Sequence, residues 1–482
     1  MIKSQLVDLL RKLTPEERQE LQLFVASPFF NRGAFVKETQ ALLTFIEAAA
    51  PDFFENRLER SLACKAVFTD VKVTDGKLDK VMSELHKLSK EFLSVSRYLN
   101  EENEFRQMLD QAAFFRARSM ENRYESIIQK LEDYQKKLPY RDLDFFEKQF
   151  LLDFEIHTYG VLHNRKKDDI HIQKTLNSLD LHYHSLKTEL LNRYLLQQKI
   201  ALLEIPEEIL QTIKDSSLPE HYAVAYPVLH ISNKIFRLLE KEQPNVSEFE
   251  DLHRLLRQHE SEVRPELLKS YYTFIRNFCV LLVNGGHTEF LPMLFRLQRE
   301  HYERGYMHHY GGKISATAFL SLSNAALKLG EYEWTKEFIL THEGRVFDDN
   351  EHKDYHCLIL ANYFFHIGEF DKALDTLPQS FQDLDFHLFS RRLELKIYYE
   401  LRSDLLPFKI DAFKMYLSRA SQKVLSAPIR DRNANFVNLL FQIYSTSRGD
   451  STRAKRLLER ITEKQTVTDR EWLLEKAQAL YK

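Results

Sequence analysis

Apolar residues recur at helical spacing along almost the whole chain, and that period most restricts what it can fold into. In KLDKVMSELHKLSKEFL (77–93), Leu78, Val81, Met82, Leu85, Leu88 and Phe92 fall 3, 4, 7, 10 and 14 positions from the first. Steps of three and four place them on one stripe of an α-helix, a face that needs another element to cover it. Residues 120–137 repeat the pattern with Tyr124, Ile127, Ile128, Leu131 and Tyr134. Alternating runs of strand length are nearly absent, VKV at 71–73 being the best short candidate. Turn-formers agree. Twelve glycines and 13 prolines in 482 residues are too few for the tight loops of a β or α/β protein. The expected fold class is all-α. The 35 phenylalanines and 22 tyrosines supply rings large enough to fill the spaces between helices.

Residues 1–100 read as an N-terminal helical domain, 101–264 as degenerate helical hairpins and 265–482 as helical repeats. TPEE at 14–17 is a helix start, with Thr14 as N-cap, Pro15 in the first turn and Glu17 placed to complete a capping box. Pro28 in FVASPFFN (24–31) ends that helix, and Phe29 and Phe30 are expected to plug a seam between helices. Further helices are predicted over about 34–48 and 56–67. A connection TDVKVTDG then leads into a long helix from 76. No Gly- or Ser-rich linker separates these parts. A hairpin of two such helices cannot bury its own apolar face, so stacking on neighbours supplies the core.

The segment CLILANYFFHIGEFDKALDTL (357–377) resembles a tetratricopeptide repeat. Leu360, Ala361 and Phe364 stand at that family's large, small and aromatic positions. Gly368 supplies the turn, Phe370 the aromatic after it and Ala373 the small contact on the second helix, while Cys357 replaces the family's early tryptophan. FLSLSNAALKLGEYEWTKEFI (319–339) is similar on Gly330 and Tyr332, with Thr335 in place of alanine. Looser matches follow with turns at Ser403 and Gly449. The resemblance implies an α-solenoid whose first helices line a concave groove for a protein or peptide. The groove positions it implies are Thr317, Leu320, Asn324, Leu327 and Lys328, then Tyr355, Leu358, Asn362, Phe365 and His366. Asn324 and Asn362 are equivalent, and an amide there can donate to and accept from an extended backbone. The family's clamp for a terminal carboxylate is not reproduced, since Leu320, Ile359, Ser390 and Glu394 stand at its polar positions.

Catalytic signals are weak. GYMHHYGGKIS (305–315) has glycines before a lysine, but Met307 and Ile314 stand where a phosphate loop needs glycine and a hydroxyl. His352 and His356 are four apart, as in a zinc pair, yet Lys353 follows the first and no residue fixes a third ligand among Asp348, Asp349 and Glu351. Cys64, Cys279 and Cys357 form no CxxC pair, which suits a reducing, cytoplasmic setting. No stretch of 18 uncharged apolar residues occurs, so neither secretion nor membrane spanning is expected. Residues 331–385 carry 13 acidic against 4 basic residues, and residues 409–460 carry 11 basic against 4 acidic, an asymmetry able to guide partners.

The expected function is a non-enzymatic protein- or peptide-binding scaffold without cofactor or metal. The alternative is a DNA-binding or transcription-linked regulator, with residues 55–100 as a helix-turn-helix-like module and Lys77, Lys80 and Lys87 as contacts. Its balance of six basic against four acidic residues over 71–98 is thin for a phosphate-binding surface. The residues themselves name neither the partner nor the oligomeric state.

Overall fold

The computed structural model describes residues 3–68, 75–162, 169–201, 204–214, 219–241, 244–308, 312–347, 352–378, 380–421, 425–464 and 466–481. It is all-α, with 24 α-helices among these residues. Four sequence features fall at least partly outside them: VKV at 71–73, most of the TDVKVTDG connection, His309 with its following Tyr-Gly, and the acidic residues 348, 349 and 351. Two compact units are distinguished, residues 1–138 with 148–176 and residues 139–147 with 177–482.

The first unit contains α1 (Gln5–Lys12), α2 (Pro15–Ala26), α3 (Val36–Glu47), α4 (Arg60–Val67), α5 (Asp75–Leu99), α6 (Glu104–Ala117), α7 (Glu121–Lys137) and, from residue 148, α8 (Leu143–Leu162). The stripe on α5 does what its spacing predicts: Leu78, Val81, Leu85, Leu88 and Phe92 are all buried in one cluster with α1 to α4. The capping box at α2 is complete. Glu17 N donates to Thr14 Oγ1 (3.2 Å) and Thr14 N to Glu17 Oε2 (2.7 Å). After Ala26 the chain turns through Ser27, and the Asn31 amide ties the turn down by donating to Val25 O (2.9 Å) and Thr39 Oγ1 (3.0 Å). The two phenylalanines part company. Phe30 stacks on Phe24 with centroids 4.1 Å apart, but Phe29 is 67% exposed beneath the Arg32 guanidinium. Consecutive residues of a turn point to different sides, so only one ring reaches the seam. A second cluster joins α6, α7 and α8 around stacked Tyr124 and Tyr159.

The second unit continues with α9 (Asp169–Ala201, from residue 177), α10 (Glu207–Lys214), α11 (Glu220–Ala225), α12 (Pro227–Glu240), α13 (Val246–Gln258), α14 (Pro265–Asn284), α15 (Leu291–Glu303), α16 (Ala316–Lys328), α17 (Tyr332–Thr341), α18 (His352–His366), α19 (Phe370–Thr376), α20 (Leu384–Glu400), α21 (Leu406–Arg419), α22 (Ala427–Tyr444), α23 (Ser451–Glu463) and α24 (Arg470–Ala479). From α14 onward nearly every helix packs on the next, and α16 also touches α18, α18 touches α20, and α22 touches α24. The chain is therefore a succession of packed helix pairs. Turns fall where the repeat resemblance puts them, at Gly330, Gly368 and Gly449, each with positive φ. The third turn differs: its left-handed residue is Arg402 (φ 51°), one before Ser403. The same closing bond forms at three turns, from Glu331 N to Ala326 O, Glu369 N to Phe364 O and Ser403 N to Tyr398 O. Thr335 is fully buried where alanine is expected, and its hydroxyl is satisfied by Glu331 O at 2.7 Å.

One element has no counterpart in the sequence reading. Ile314–Ser315 (β1) and Val346–Phe347 (β2) pair in parallel just ahead of α16 and of the segment leading to α18. Two residues are too few to show a strand period, so only Ile314 and Val346, both buried, mark them.

Candidate functional site

Side chains from α16, α18, α20 and α22 meet around one row on α20, and that row follows from helical spacing. On α20, Arg392, Lys396 and Glu400 stand four apart and form one row. Phe365 and His366 reach this row from α18, Lys328 from the last turn of α16, and Asn433 from α22. The Arg392 Nη1 donates to Asn433 Oδ1 (2.9 Å), and the Asn433 amide donates to Ile429 O (2.8 Å). The Lys396 ammonium lies 5.2 Å from the centre of the Phe365 ring, and the residue is only 6% exposed.

The counter-charge arrives from the segment that opens α24. Asp469 accepts from Arg392 Nε at 2.9 Å and from Lys396 Nζ at 2.8 Å. Its backbone is left-handed (φ 51°, ψ 34°), and its carboxylate makes no cap to its own helix. Glu471 stands 3.8 Å from Lys328. Trp472 Nε1 donates to Glu400 Oε1 (3.1 Å), which Lys476 also reaches (2.7 Å), and the indole packs edge-on to Tyr399 with centroids 5.4 Å apart. Burial works against the Asp469 carboxylate, but the Lys396 and Arg392 charges outweigh it and hold its pKa far below the usual range. Burial also pulls Lys396 down, with Asp469 opposing. His366 is pushed down to about 4 by burial, with Lys396 and Lys328 adding to the effect, so it is neutral at pH 7.

Of the ten groove residues expected from the sequence, Lys328, Phe365 and His366 come together here. Leu327, Tyr355 and Leu358 lie in the core between helices. Asn362 is 1% exposed, and its Nδ2 has no hydrogen-bond partner among the described residues. Thr317 is exposed on α16, with Leu320 and Asn324 half-buried. Sequence reasoning missed Arg392, Lys396, Glu400, Asp469, Trp472 and Lys476. The four-residue spacing on α20 and the D-x-x-W spacing at 469–472 were the available signals, but nothing local ties one to the other.

Elsewhere, Lys77, Lys80 and Lys87 are exposed on α5. The Lys77 ammonium sits 4.9 Å from the Phe68 ring centre, and Lys87 pairs with Glu91 at 3.7 Å. The His356 ring engages Ile339 O through Nε2 at 3.1 Å. Another buried polar network links α13, α14 and α15. Glu260 accepts from Tyr272 (2.7 Å) and Arg304 (2.8 Å), while Glu300 accepts from Arg304 (2.7 Å) and meets His253 (2.9 Å). Three of these four bonds run between elements, and the fourth, Arg304 to Glu300, ties the end of α15 to itself, the arrangement of structural glue.

No protein-family model, curated protein or solved structure matches the chain.

Proposed function

We infer that the helix pairs from α16 to α24 form a solenoid-like, tetratricopeptide-like scaffold that holds a protein or peptide partner on the face of the first helices. The role is non-catalytic. The observation that carries this reading is the row of cations on that face, Lys328, Arg392 and Lys396, two of which already grip a carboxylate from another segment of chain. Paired cations beside an aromatic ring form a recognition surface for an acidic, aromatic-bearing polypeptide. The tests are affinity capture with the full chain and cross-linking of the recovered partner. Cross-links at Lys328 and neighbouring positions of α16 and α18, lost with the partner in N324A/K328E, are the expected result. Cross-links confined to Lys77, Lys80 and Lys87 would overturn it, and salt-dependent DNA retention lost on charge reversal of those three lysines would favour the DNA-linked regulator.

A further inference from the structure

We propose that the opening of α24 is a built-in occupant of this face. The partner displacing it is then a helical segment with a carboxylate followed three residues later by an aromatic, the spacing of Asp469 and Trp472. The proposal rests on the scaffold reading and adds to it both the partner's chemistry and a state in which the site is already filled.

The fold of residues 469–472 supports this. Asp and Asn at helix starts ordinarily turn their side chains back to cap the helix, and Asp469 does the opposite, in a left-handed conformation that L-residues rarely adopt. Its carboxylate serves α20 instead. The next three residues also reach beyond the neighbouring helix pair, although the Trp472 indole packs toward Phe436 of α22 as well, with centroids 6.4 Å apart. Glu471 reaches α16 and Trp472 reaches α20. Arg470 lies so close to the turn after α14 that a Cβ on Gly286 would come within 3.0 Å of its Nη1. By contrast, Leu473, Ala477 and Leu480 bury into the apolar cluster of α20 to α24, as in an ordinary closing helix. The helix thus has an anchoring half and a half that reads the face.

Charge defines what can replace it. With Asp469 and Glu471 lifted away, Lys328, Arg392 and Lys396 lose the carboxylates paired with them, and Arg432, whose pKa is pulled down by burial and further by the Arg392 charge, adds a fourth cation nearby. Asp385 bears on Arg432 and Glu400 is held by Lys476, so the vacated row is cationic. A tethered occupant enjoys an effective concentration on the order of millimolar. A free partner therefore has to supply both the acid and the ring to compete.

The test uses a fluorescein-labelled peptide of residues 466–481 and two full-length chains, the unchanged protein and E471K/W472A, which weakens the built-in occupant by removing its contacts with Lys328 and with the Tyr399 and Glu400 side chains. At least tenfold tighter peptide binding by the variant is expected, lost when the peptide carries D469N and W472A. Equal affinity for both chains, or binding indifferent to those peptide changes, overturns the proposal. Should the variant not fold by circular dichroism, hydrogen exchange on the unchanged chain decides. Amides of 470–480 should exchange at least tenfold faster than those of 433–443, and equal protection marks α24 as a fixed element. A dimer of the variant formed by exchange of α24, seen in sedimentation, assigns the face to a second copy and overturns the proposal of a foreign partner. If these tests fail while cross-links at Lys328 persist, only the built-in occupant falls. If peptide binding survives without those cross-links, the scaffold reading falls instead.

Discussion

Asp469 begins a helix yet leaves it uncapped, and the local loss has a definite size. A missing cap costs about 1 kcal/mol and a left-handed non-glycine residue roughly 1–2 kcal/mol. Both are offset by the ion pairs with Arg392 and Lys396, whose side chains are 15% and 8% exposed. Removing one partner of such a pair strands the other, and D469N is expected to lower stability by about 3–5 kcal/mol. The double variant K396M/D469L removes both charges and should recover much of that loss, because Arg392 keeps Asn433. Urea denaturation of the single and double variants is the check. Equal losses in both would show that packing, and not charge, fixes α24. None of this was legible in the sequence. Asp469 lies 77 residues from Arg392, and neither side chain announces the other. The capping box at Thr14 was legible because its donors and acceptors lie within four residues; T14A should cost about 1 kcal/mol in the same assay.

Helices were read well because the period of a stripe is a local property, and turns were read well wherever glycine marks a positive φ. Gly368 shows why the mark is informative. No heavy atom lies within 4 Å of where its Cβ would be, so the cost of G368A is wholly conformational, about 1 kcal/mol. A neutral result in thermal melting would mean that the turn can relax into another conformation. Arg402 carries the same backbone geometry without that mark, which is why the turn was placed at Ser403, one residue late. The groove positions were harder to read. Helical spacing says which residues share a face, but which faces are covered depends on the next pair in the stack. Leu327, Tyr355 and Leu358 share the repeat's first-helix register, and α17, α19 and α20 draw them into the core. The pairing of Ile314 with Val346 joins two entry segments 32 residues apart, again beyond what a local pattern can show.

At the scale of the molecule, buried histidines set the acid limit of stability. His301 is fully buried, its ring nitrogens have no hydrogen-bond partner among the described residues, and burial pushes its pKa down to about 3. His366 is likewise lowered to about 4. An unfolded histidine titrates near 6.5, so below that pH the unfolded chain binds more protons than the folded one. Stability contributed by each neutral ring is present above about pH 6.5 and falls as the pH drops toward the folded value, by up to about 1.4 kcal/mol per pH unit for each proton. Melting temperatures measured from pH 7 to pH 4 should therefore decline, and H301F should flatten the decline. An unchanged slope would place the acid sensitivity elsewhere. The depressed Asp469 acts in a lower window: its contribution holds above about pH 4, the unfolded aspartate value, and is lost only below it. The same carboxylate has a consequence for the order in which the protein is made. At a synthesis rate of about 5–20 residues per second, Arg392 leaves the ribosome roughly 4–15 s ahead of Asp469. Through that interval the cations of α20 have no Asp469 to meet, and the nascent chain waits for its last described helix before this part of the fold can close.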